Sequence, residues 1–285
     1  MINTVIFSYN RALQLRLLLE SIKKYIPDIL NINIIYKSGS NEFESGYNKL
    51  ISENILSNIN WVKEVDFKKQ VIELIANNEY ELTTFMTDDD IIYKPLNMDD
   101  IVQCMEDEEN LCFSCRLGEN VSVCYTMQSS NLIIPLSSTE NTLTWDWTKH
   151  YFDTGYPLSV DFHIFRTKDI VPLCKAISFH NPNTFEGNLQ IFNEHPKYKM
   201  TSFKHSVMVN TPNNIVNETH PNRKGETFGI TAKELNDKFL AGEIIDLESL
   251  DFSNVRGCHQ EIEYKYINED IRYLQNGLFN SIKNV

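Results

Sequence analysis

The sequence predicts an α/β protein. Its mostly parallel central sheet is flanked by helices and carries a small antiparallel addition and a helical C-terminal extension. Short β-branched runs alternate with helical stripes through the first third of the chain. Short strand-like pieces joined by polar turns fill the middle third, and apolar residues recur at helical spacing near the end. Regular strand–helix alternation is typical of a parallel sheet, because parallel neighbours need a crossover connection.

The first third of the chain supplies four predicted strands with helices between them. A leucine-rich stripe follows the first strand at helical spacing, and Pro27 ends it. Two further helices are predicted over Tyr47–Asn54 and Lys68–Asn77. The four predicted strands are Asn3–Ser8, Ile32–Ser38, Trp61–Phe67 and Leu82–Met86.

The rest of the chain is less regular. Thr184 is expected to cap a helix running to about Glu194, and Thr231 with Glu234 forms a capping box for a helix that Gly242 ends. Further strands are predicted over Leu111–Arg116, Val121–Met127, Leu132–Leu136 and Met200–Asn210, a mobile loop over Asn213–Gly225, and a mostly helical segment over Gln260–Ile282. We expect a catalytic domain over 1–210, with halves of about 1–95 and 96–210, and a loop with helical extension over 211–285.

Composition excludes several classes of protein. The chain has 285 residues, of which 42% are hydrophobic, so it has enough apolar surface to form a core. Its formal charge of −13 disfavours general nucleic-acid binding, because acidic surfaces repel phosphate backbones. No apolar run reaches the roughly 20 residues of a membrane span. The sequence shows no secretory signal pattern, so its six cysteines are expected to be free thiols of a cytoplasmic protein.

The most informative motif is the acidic triplet Asp88-Asp89-Asp90, directly after the fourth predicted strand. Three consecutive carboxylates repel one another, and a divalent cation removes that repulsion. Hard oxygen ligands suit Mg²⁺ or Mn²⁺, which commonly bridge carboxylates to substrate phosphates. Ligands of open α/β sheets bind outside the carboxyl ends of the strands, where this triplet falls. A solvated acidic turn is the alternative interpretation.

Two motifs in order resemble family-2-type glycosyltransferases with the GT-A fold. The opening Val5–Arg11 (VIFSYNR), followed by the leucine stripe, is similar to the first strand and nucleotide-bordering turn of that family. The triplet about 80 residues later resembles its DxD motif. The resemblance covers residues 1–95 and implies a nucleotide-sugar donor, with Mn²⁺ or Mg²⁺ bridging the diphosphate to Asp88 and Asp90. In the family the last acid is usually the direct ligand.

The resemblance also implies where the donor binds. Family-2 enzymes commonly carry a base-reading acid at the end of the second strand, but here that place reads Tyr36-Lys37-Ser38-Gly39-Ser40, so the nucleotide stays open. The QxxRW-type motif of processive synthases is absent, which favours transfer of a single sugar. The expected donor-binding residues are Ser8, Tyr9, Asn10, Arg11, Ser38, Asp88, Asp89 and Arg223.

Glu186 is the candidate catalytic base, because the GT-A fold places its catalytic acid near the start of a helix about 100 residues after the DxD motif. A simple helix-terminal charge is the alternative role. GT-A enzymes often add a histidine as third metal ligand, for which His220 is the candidate and His259 the alternative. Asp161 is a further candidate for a sugar hydroxyl, and the aromatic Trp145–Phe152 segment for an acceptor wall or for core packing.

The predicted function is therefore metal-dependent transfer of one sugar to a hydroxyl acceptor. An inverting reaction with Glu186 as base, a UDP-sugar donor and a surface-glycan acceptor are favoured by analogy. Two alternatives remain. A sugar nucleotidyltransferase would need a glycine-rich loop after the first strand, and Ser8–Arg11 contains no glycine. A carbohydrate- or nucleotide-binding module would keep the fold without turnover.

Overall fold

The computed structural model describes residues 1–216 and 223–269. A nine-stranded mixed sheet forms the centre of this part of the chain, in the order β3-β2-β1-β4-β11-β6-β12-β10-β9. Its strands are β1 Ile2–Tyr9, β2 Leu30–Lys37, β3 Ile59–Lys63, β4 Leu82–Thr87, β6 Asn110–Ser114, β9 Ser137–Ser138, β10 Thr142–Asp146, β11 His163–Arg166 and β12 Lys199–Phe203.

Three two-stranded ribbons accompany this sheet. They pair β5 Asp90–Ile92 with β13 Met208–Asn210, β7 Val123–Cys124 with β8 Ser129–Ser130, and β14 Glu243–Ile245 with β15 Tyr266–Asn268. The helices are α1 Ala12–Tyr25, α2 Asn41–Glu53, α3 Phe67–Ala76, α4 Met98–Met105, α5 Thr167–Ala176, α6 Pro182–Leu189 and α7 Ala232–Leu240.

The strand directions confirm the predicted fold class. Strands β1 to β4 are mutually parallel, β11 is antiparallel to β4 and β6, and β10 is antiparallel to β12 and β9. All strands of the large sheet except β11 and β10 therefore point the same way. The register pairs Phe7 of β1 with Ile35 of β2 and Thr87 of β4, so three strand ends lie at one edge.

Packing covers both faces of the sheet. Along β1, Ile2 and Ile6 face a cluster built on α1, whereas Val5 and Phe7 face a second cluster around α3 and α6. Both sets are buried, as is usual for the central strand of a parallel sheet. In the second cluster, Phe185 packs edge-on to Phe7 and fixes α6 against the end of β1.

The segment 260–268 differs from its prediction, whereas Glu269 is helical as predicted. The segment was predicted to begin a helix, yet it runs extended and ends in β15. Ile262 and Tyr264 are buried two positions apart, and this spacing belongs to an extended chain rather than to a helix. The remainder of the predicted helix, 270–282, lies outside the described residues.

The missed strands include β10 and β11 of the large sheet, and the strand predicted over Leu132–Leu136 is wrong. Leu132, Ile134 and Leu136 are exposed and form no strand, whereas β10 and β11 lie in stretches without a clear strand pattern. The capping box of Thr231 and Glu234 is confirmed. Within the two described ranges, no helix has the length and apolar character required to cross a membrane.

Candidate active site

The carboxyl ends of β1, β2 and β4 open into a cavity of about 520 Å³. Its lining combines apolar side chains with polar residues from α6 and from the segment 210–216. It is the place where open α/β sheets hold their ligands. Its lining includes Phe7, Ser8, Tyr9, Arg11, Ile35, Lys37, Glu64, Phe67, Thr87, Asp88, Asp89, Tyr125, Thr126, Asp161, Asn183, Glu186, Asn210, Asn214, Arg223 and His259.

The turn after β1 is shaped by Asn10. Asn10 adopts a positive φ of 59°, a conformation that asparagine tolerates better than most residues. Its side-chain Oδ1 accepts a hydrogen bond from the Gly39 amide at 2.6 Å, which ties the ends of β1 and β2 together. The turn leaves the Tyr9 amide free to donate to Asp88 Oδ2 at 3.0 Å.

Arg11 holds the first two aspartates in place. Its Nη1 lies 3.0 Å from Asp88 Oδ1 and 2.8 Å from Asp89 Oδ2, and the guanidinium is buried. Its Nε and Nη2 donate to the side-chain and main-chain oxygens of Asn214, each at 2.7 Å. Because these partners engage Nε, Nη1 and Nη2, Arg11 fixes the positions of Asp88 and Asp89 relative to Asn214 at the cavity.

Asp88 is the most heavily bonded of the three acids. Its Oδ2 accepts from Ser8 Oγ at 2.8 Å and from the Tyr9 amide, while Oδ1 faces Arg11. Burial raises the pKa of Asp88 and Asp89 adds to the rise, whereas Arg11 opposes it; the pKa settles at about 6. Its charge therefore has a cationic partner already.

Asp90 has no such partner among the described residues. It is 0% exposed, and its oxygens accept from the Thr87 amide at 3.0 Å and from Asn210 Nδ2 at 2.9 Å. The Thr87 hydroxyl lies 3.3 Å from Asp90 Oδ1 and 3.2 Å from Asp161 Oδ1, yet it has one proton to donate. Burial, then Asp161 and Asp89, raise the pKa of Asp90 well above its usual value.

Asp161 connects the acidic cluster to two buried bases. Its Oδ2 lies 2.9 Å from Arg116 Nη1 and 3.1 Å from His259 Nε2. Burial alone would raise the pKa of Asp161, but the bond to His259 and the charge of Arg116 lower it to about 2. Burial likewise opposes the charged form of His259, but Cys258 and Asp161 raise its pKa above the usual value.

Glu186 faces the cavity from α6. Its Oε1 accepts from Ser159 Oγ at 2.7 Å and from the Val160 amide at 3.1 Å, whereas Oε2 has no hydrogen-bond partner within the described part of the chain. Burial and then the negative Asp161 raise the pKa of Glu186. A carboxylate with one fixed and one open oxygen, and with increased basicity, is suited to accept a proton.

The start of α6 corrects the expected position of this acid. Asn181, rather than Thr184, is the N-cap, and the two form a reciprocal capping box with Pro182 at the first helical position. Glu186 therefore lies in the second turn, where the helix N-terminus has less influence on its charge.

The predicted site residues do not all reach the cavity. Ser8, Tyr9, Arg11, Asp88, Asp89, Glu186, Arg223 and His259 line it. Asn10 acts through the turn, Ser38 donates to Glu44, and Asp90 lies beneath the lining. His220 lies outside the described residues.

The structure adds residues that the sequence analysis missed and settles one open choice. Thr87 and Asn210 form hydrogen bonds with the aspartates, and Asn214 forms hydrogen bonds with Arg11, which pairs with two of them. The only sequence feature that could have indicated these three residues is that they are polar and follow or end a strand. Trp145 and Trp147 are buried and each donates its indole N–H to a main-chain oxygen, so core packing is their role. Tyr151 and Phe152 of the same segment are exposed and do not belong to the core.

A second group of ligand-type side chains adjoins His259. One ligand atom each from Asp153, Cys258 and His259 lie within 4.8 Å of one another, which makes this a possible metal site. Burial and the Asp153 carboxylate raise the pKa of the nearby Cys124 thiol to about 11.

Comparisons with known proteins identify a glycosyltransferase relative. The chain is 26% identical over 215 residues to the bifunctional glycosyltransferase pgtA of Dictyostelium discoideum, a match covering 66% of this chain and 28% of the relative. The chain thus spans about a quarter of that protein's length. The resemblance to glycosyltransferases expected from the sequence is confirmed at this level. No family model matches the chain.

Solved structures show weaker likenesses. S. aureus TarS 1-349 in complex with UDP is 15% identical, with a TM-score of 0.44 and coverage of 75% of this chain and 62% of that one. A cytidylyltransferase from Leptospira borgpetersenii is 11% identical, with a TM-score of 0.42 and coverage of 72% and 76%. Because both scores are below 0.5, the fold class rests on the strand order and directions of the chain itself.

Proposed function

We propose that the chain transfers one sugar from a nucleotide-sugar donor to a hydroxyl acceptor, with a divalent cation as cofactor. The carrying observation is one carboxylate in the cavity lining, Glu186, and a second directly beneath that lining, Asp90. Asp90 is buried without a cationic partner in the described structure, and Glu186 presents an open oxygen with raised basicity. Similarity to a curated glycosyltransferase supports the same class of reaction.

The apolar part of the cavity lining fits a nucleobase. Phe7, Ile35 and Phe67 supply it with flat and branched apolar surface, and Lys37 and Glu64 line the same cavity as an ion pair of 2.7 Å. A base would stack on the apolar side chains while its polar edge meets that pair. We propose that Glu64, one strand further along, supplies the carboxylate that the end of β2 lacks.

The donor set around Thr87 fits Mg²⁺ or Mn²⁺. Asp90 Oδ1 and Asp161 Oδ1 compete for a single hydroxyl proton, and both are hard oxygen ligands. We propose Asp90 and Asp161 as the residues that hold the cation. Asp88 is the weaker ligand candidate, because Arg11, Ser8 and the Tyr9 amide already engage its oxygens.

Sugar transfer then requires a proton acceptor and a stabilised leaving group. The acceptor oxygen bonds to the anomeric carbon, the bond from that carbon to the diphosphate oxygen breaks, and its electron pair remains on the diphosphate. Glu186 Oε2 takes the acceptor's proton, while Ser159 and the Val160 amide hold Oε1 in place. The cation, when bound, neutralises charge on the departing diphosphate, and Arg223 at the cavity wall adds a second cation.

The order of these groups favours an inverting reaction. Glu186 belongs to α6 and Asp90 to β5, so the proposed base and the proposed cation ligand are held by separate elements. Tyr125, Thr126 and Asn183 line the remaining wall and offer hydroxyl and amide groups to an acceptor sugar. A UDP-sugar donor and a surface-glycan acceptor stay the favoured proposals.

A melting-shift panel tests the proposal. The full chain is heated with UDP-, GDP-, CMP- and dTDP-sugars, with and without Mn²⁺, and nucleoside diphosphate release is then measured for the stabilising donor. Cation-dependent stabilisation followed by diphosphate release is the expected result, since a ligand at 100 times its Kd adds about 2.7 kcal/mol. Stabilisation without release would favour a binding module. Pyrophosphate release from a nucleoside triphosphate and a sugar phosphate would instead favour a nucleotidyltransferase.

A further inference from the structure

A cluster of one thiol, one carboxylate and one imidazole is formed by Cys258, Asp153 and His259, of which the first two are buried and His259 is half-buried. Cys258 Sγ is 3.3 Å from His259 Nδ1, and an oxygen of Asp153 completes a set whose atoms are within 4.8 Å of one another. Of these three residues only His259 lines the large cavity, and Cys258 and Asp153 are absent from its lining.

The unsatisfied carboxylate oxygen of Asp153 indicates a cation ligand at this place. Its residue surface is 8% exposed, and its Oδ2 is inaccessible to solvent and has no hydrogen-bond partner in the described part of the chain. A buried carboxylate oxygen without a partner is costly, because it has lost its water and gained nothing in return. A cation bonded to that oxygen would remove the cost.

Cys124 offers a fourth donor from just outside the three-residue set, because its sulfur is not among the atoms that lie within 4.8 Å of one another. It is buried on β7, and its thiol neighbours the Asp153 carboxylate. The main chain brings β7 toward the same group, since the amides of Ser122 and Val123 donate to the Arg256 carbonyl at 2.8 and 3.0 Å. Two sulfurs, one imidazole nitrogen and one carboxylate oxygen therefore come from three separate segments.

We propose that these four residues, Cys124, Asp153, Cys258 and His259, bind one Zn²⁺ ion. Thiolate and imidazole ligands select zinc over Mg²⁺ or Mn²⁺, which prefer oxygen. Zinc–ligand bonds of about 2.0–2.3 Å place tetrahedral ligand atoms roughly 3.3–3.8 Å apart. The 3.3 Å between Cys258 Sγ and His259 Nδ1 already has that spacing.

The ion would also define the role of His259. With zinc on Nδ1, the remaining ring proton is on Nε2, where it donates to Asp161 Oδ2 at 3.1 Å. A metal-bound histidine commonly has a carboxylate as partner of its other nitrogen. His259 then positions Asp161 and is not itself a ligand of the donor cation. The zinc site stands on its own geometry and does not depend on glycosyl transfer.

Metal content tests the proposal directly. The full chain is purified without an affinity tag, its zinc is measured, and the chelator-treated protein is titrated with Zn²⁺ and, separately, with Co²⁺. One zinc per chain, a higher melting temperature with zinc and thiolate-to-cobalt charge-transfer absorption are expected. Cys258→Ser and Asp153→Asn should each weaken zinc binding at least tenfold, while Cys174→Ser, which removes a buried thiol on α5, should leave it unchanged.

Several results would overturn the proposal. Absence of zinc and of cobalt–thiolate absorption in the wild-type protein would do so, as would zinc affinity unchanged by Asp153→Asn. If Cys258→Ser fails to fold, Asp153→Asn and the wild-type cobalt spectrum still decide, because neither needs that variant. Donor stabilisation by Mn²⁺ is recorded separately, so failure of the zinc site and failure of the proposed function are distinguishable.

Discussion

The substitution Asp90→Asn tests two effects of the buried Asp90 charge separately: its destabilisation of the folded protein and its role in binding the cation. It removes the one acid of the triplet without a cationic partner in the described structure. The new amide oxygen can accept from the Thr87 main chain, and its nitrogen can donate to Thr87 Oγ1, which frees that hydroxyl for Asp161. Asn210 Nδ2 keeps Asp89 Oδ1 at 2.9 Å. The hydrogen bond from Asn210 Nδ2 to this side chain is lost, because the new amide nitrogen takes the place of its acceptor oxygen, and the other local hydrogen bonds are retained.

Two opposite effects on melting temperature are expected. In chelator at pH 8 the variant should melt at the same temperature as wild type or higher, because the folded protein no longer holds a buried unpaired charge. A domain of this size gains about 2–4 °C for each kcal/mol. With Mn²⁺ and donor at 100 times Kd, wild type should gain about 2.7 kcal/mol, or roughly 5–10 °C, and the variant should gain nothing.

Differential scanning fluorimetry with and without Mn²⁺ measures both effects. Asp99→Asn, an exposed acid on α4, is the charge-matched control and should keep the cation-dependent gain. A variant that melts well below wild type in chelator, or that keeps its Mn²⁺-dependent gain, would refute the reasoning.

Other perturbations test the remaining groups. Glu186→Gln should lower the rate of sugar transfer about 10²–10⁴-fold while donor binding persists; steady-state kinetics and donor-induced melting shifts measure the two quantities. In the wild-type protein, the acid limb of the pH–rate profile should lie above the ordinary glutamate pKa, because burial and Asp161 raise the pKa of Glu186. Arg11→Lys should cost about 3–5 kcal/mol of unfolding free energy in urea melts, because Asp88 and Asp89 lose their fork-shaped partner. In chelator, the Asp88 contribution to stability should be full below pH 4 and fall as the pH rises through about 6, by up to about 3 kcal/mol, since its folded pKa is the higher one; Asp88→Asn should remove this part of the pH dependence.

Each of these predictions has a control or a contrary outcome. Glu194→Gln, an exposed acid on no wall of the cavity, should leave transfer unchanged, and equal losses in both glutamate variants would contradict the role of Glu186. Full stability of Arg11→Lys would contradict the role of Arg11 in fixing Asp88 and Asp89. A pH–stability curve unchanged by Asp88→Asn would mean that other groups cause the slope.

The first half of the sheet was predictable because each element has a strong local pattern. The helical spacing of the leucines in α1 and the short apolar runs of β1, β2 and β4 predict these elements from the sequence. Polar residues follow directly at the ends of the strands. Strand β11 was missed because His163–Arg166 is buried throughout and shows no alternation. Leu132, Ile134 and Leu136 alternate as a strand should, yet they remain exposed. The spacing of apolar residues alone does not show which segments pair with another strand and become buried.

The sequence was sufficient to predict which acidic residues belong to the candidate site, but it did not predict their hydrogen bonds and ion pairs. The triplet and the turn after β1 are adjacent to strands whose ends had to meet, so their proximity follows from topology. Thr87 is three residues from Asp90 and could have been paired with it locally. Arg11, however, engages Asp88 and Asp89 from 77 and 78 residues away, and Asn210 donates to Asp90 from 120 residues away. No local pattern encodes such contacts.

A crystal of the full chain grown with Mn²⁺ and a stabilising nucleotide sugar tests the central claim most directly. Anomalous scattering from manganese should appear beside Asp90 and Asp161, with the donor diphosphate next to it and the base against the apolar surface of Phe7, Ile35 and Phe67. Manganese or nucleotide bound elsewhere, with the oxygens of Asp90 and Asp161 making only the protein contacts they have now, would contradict it.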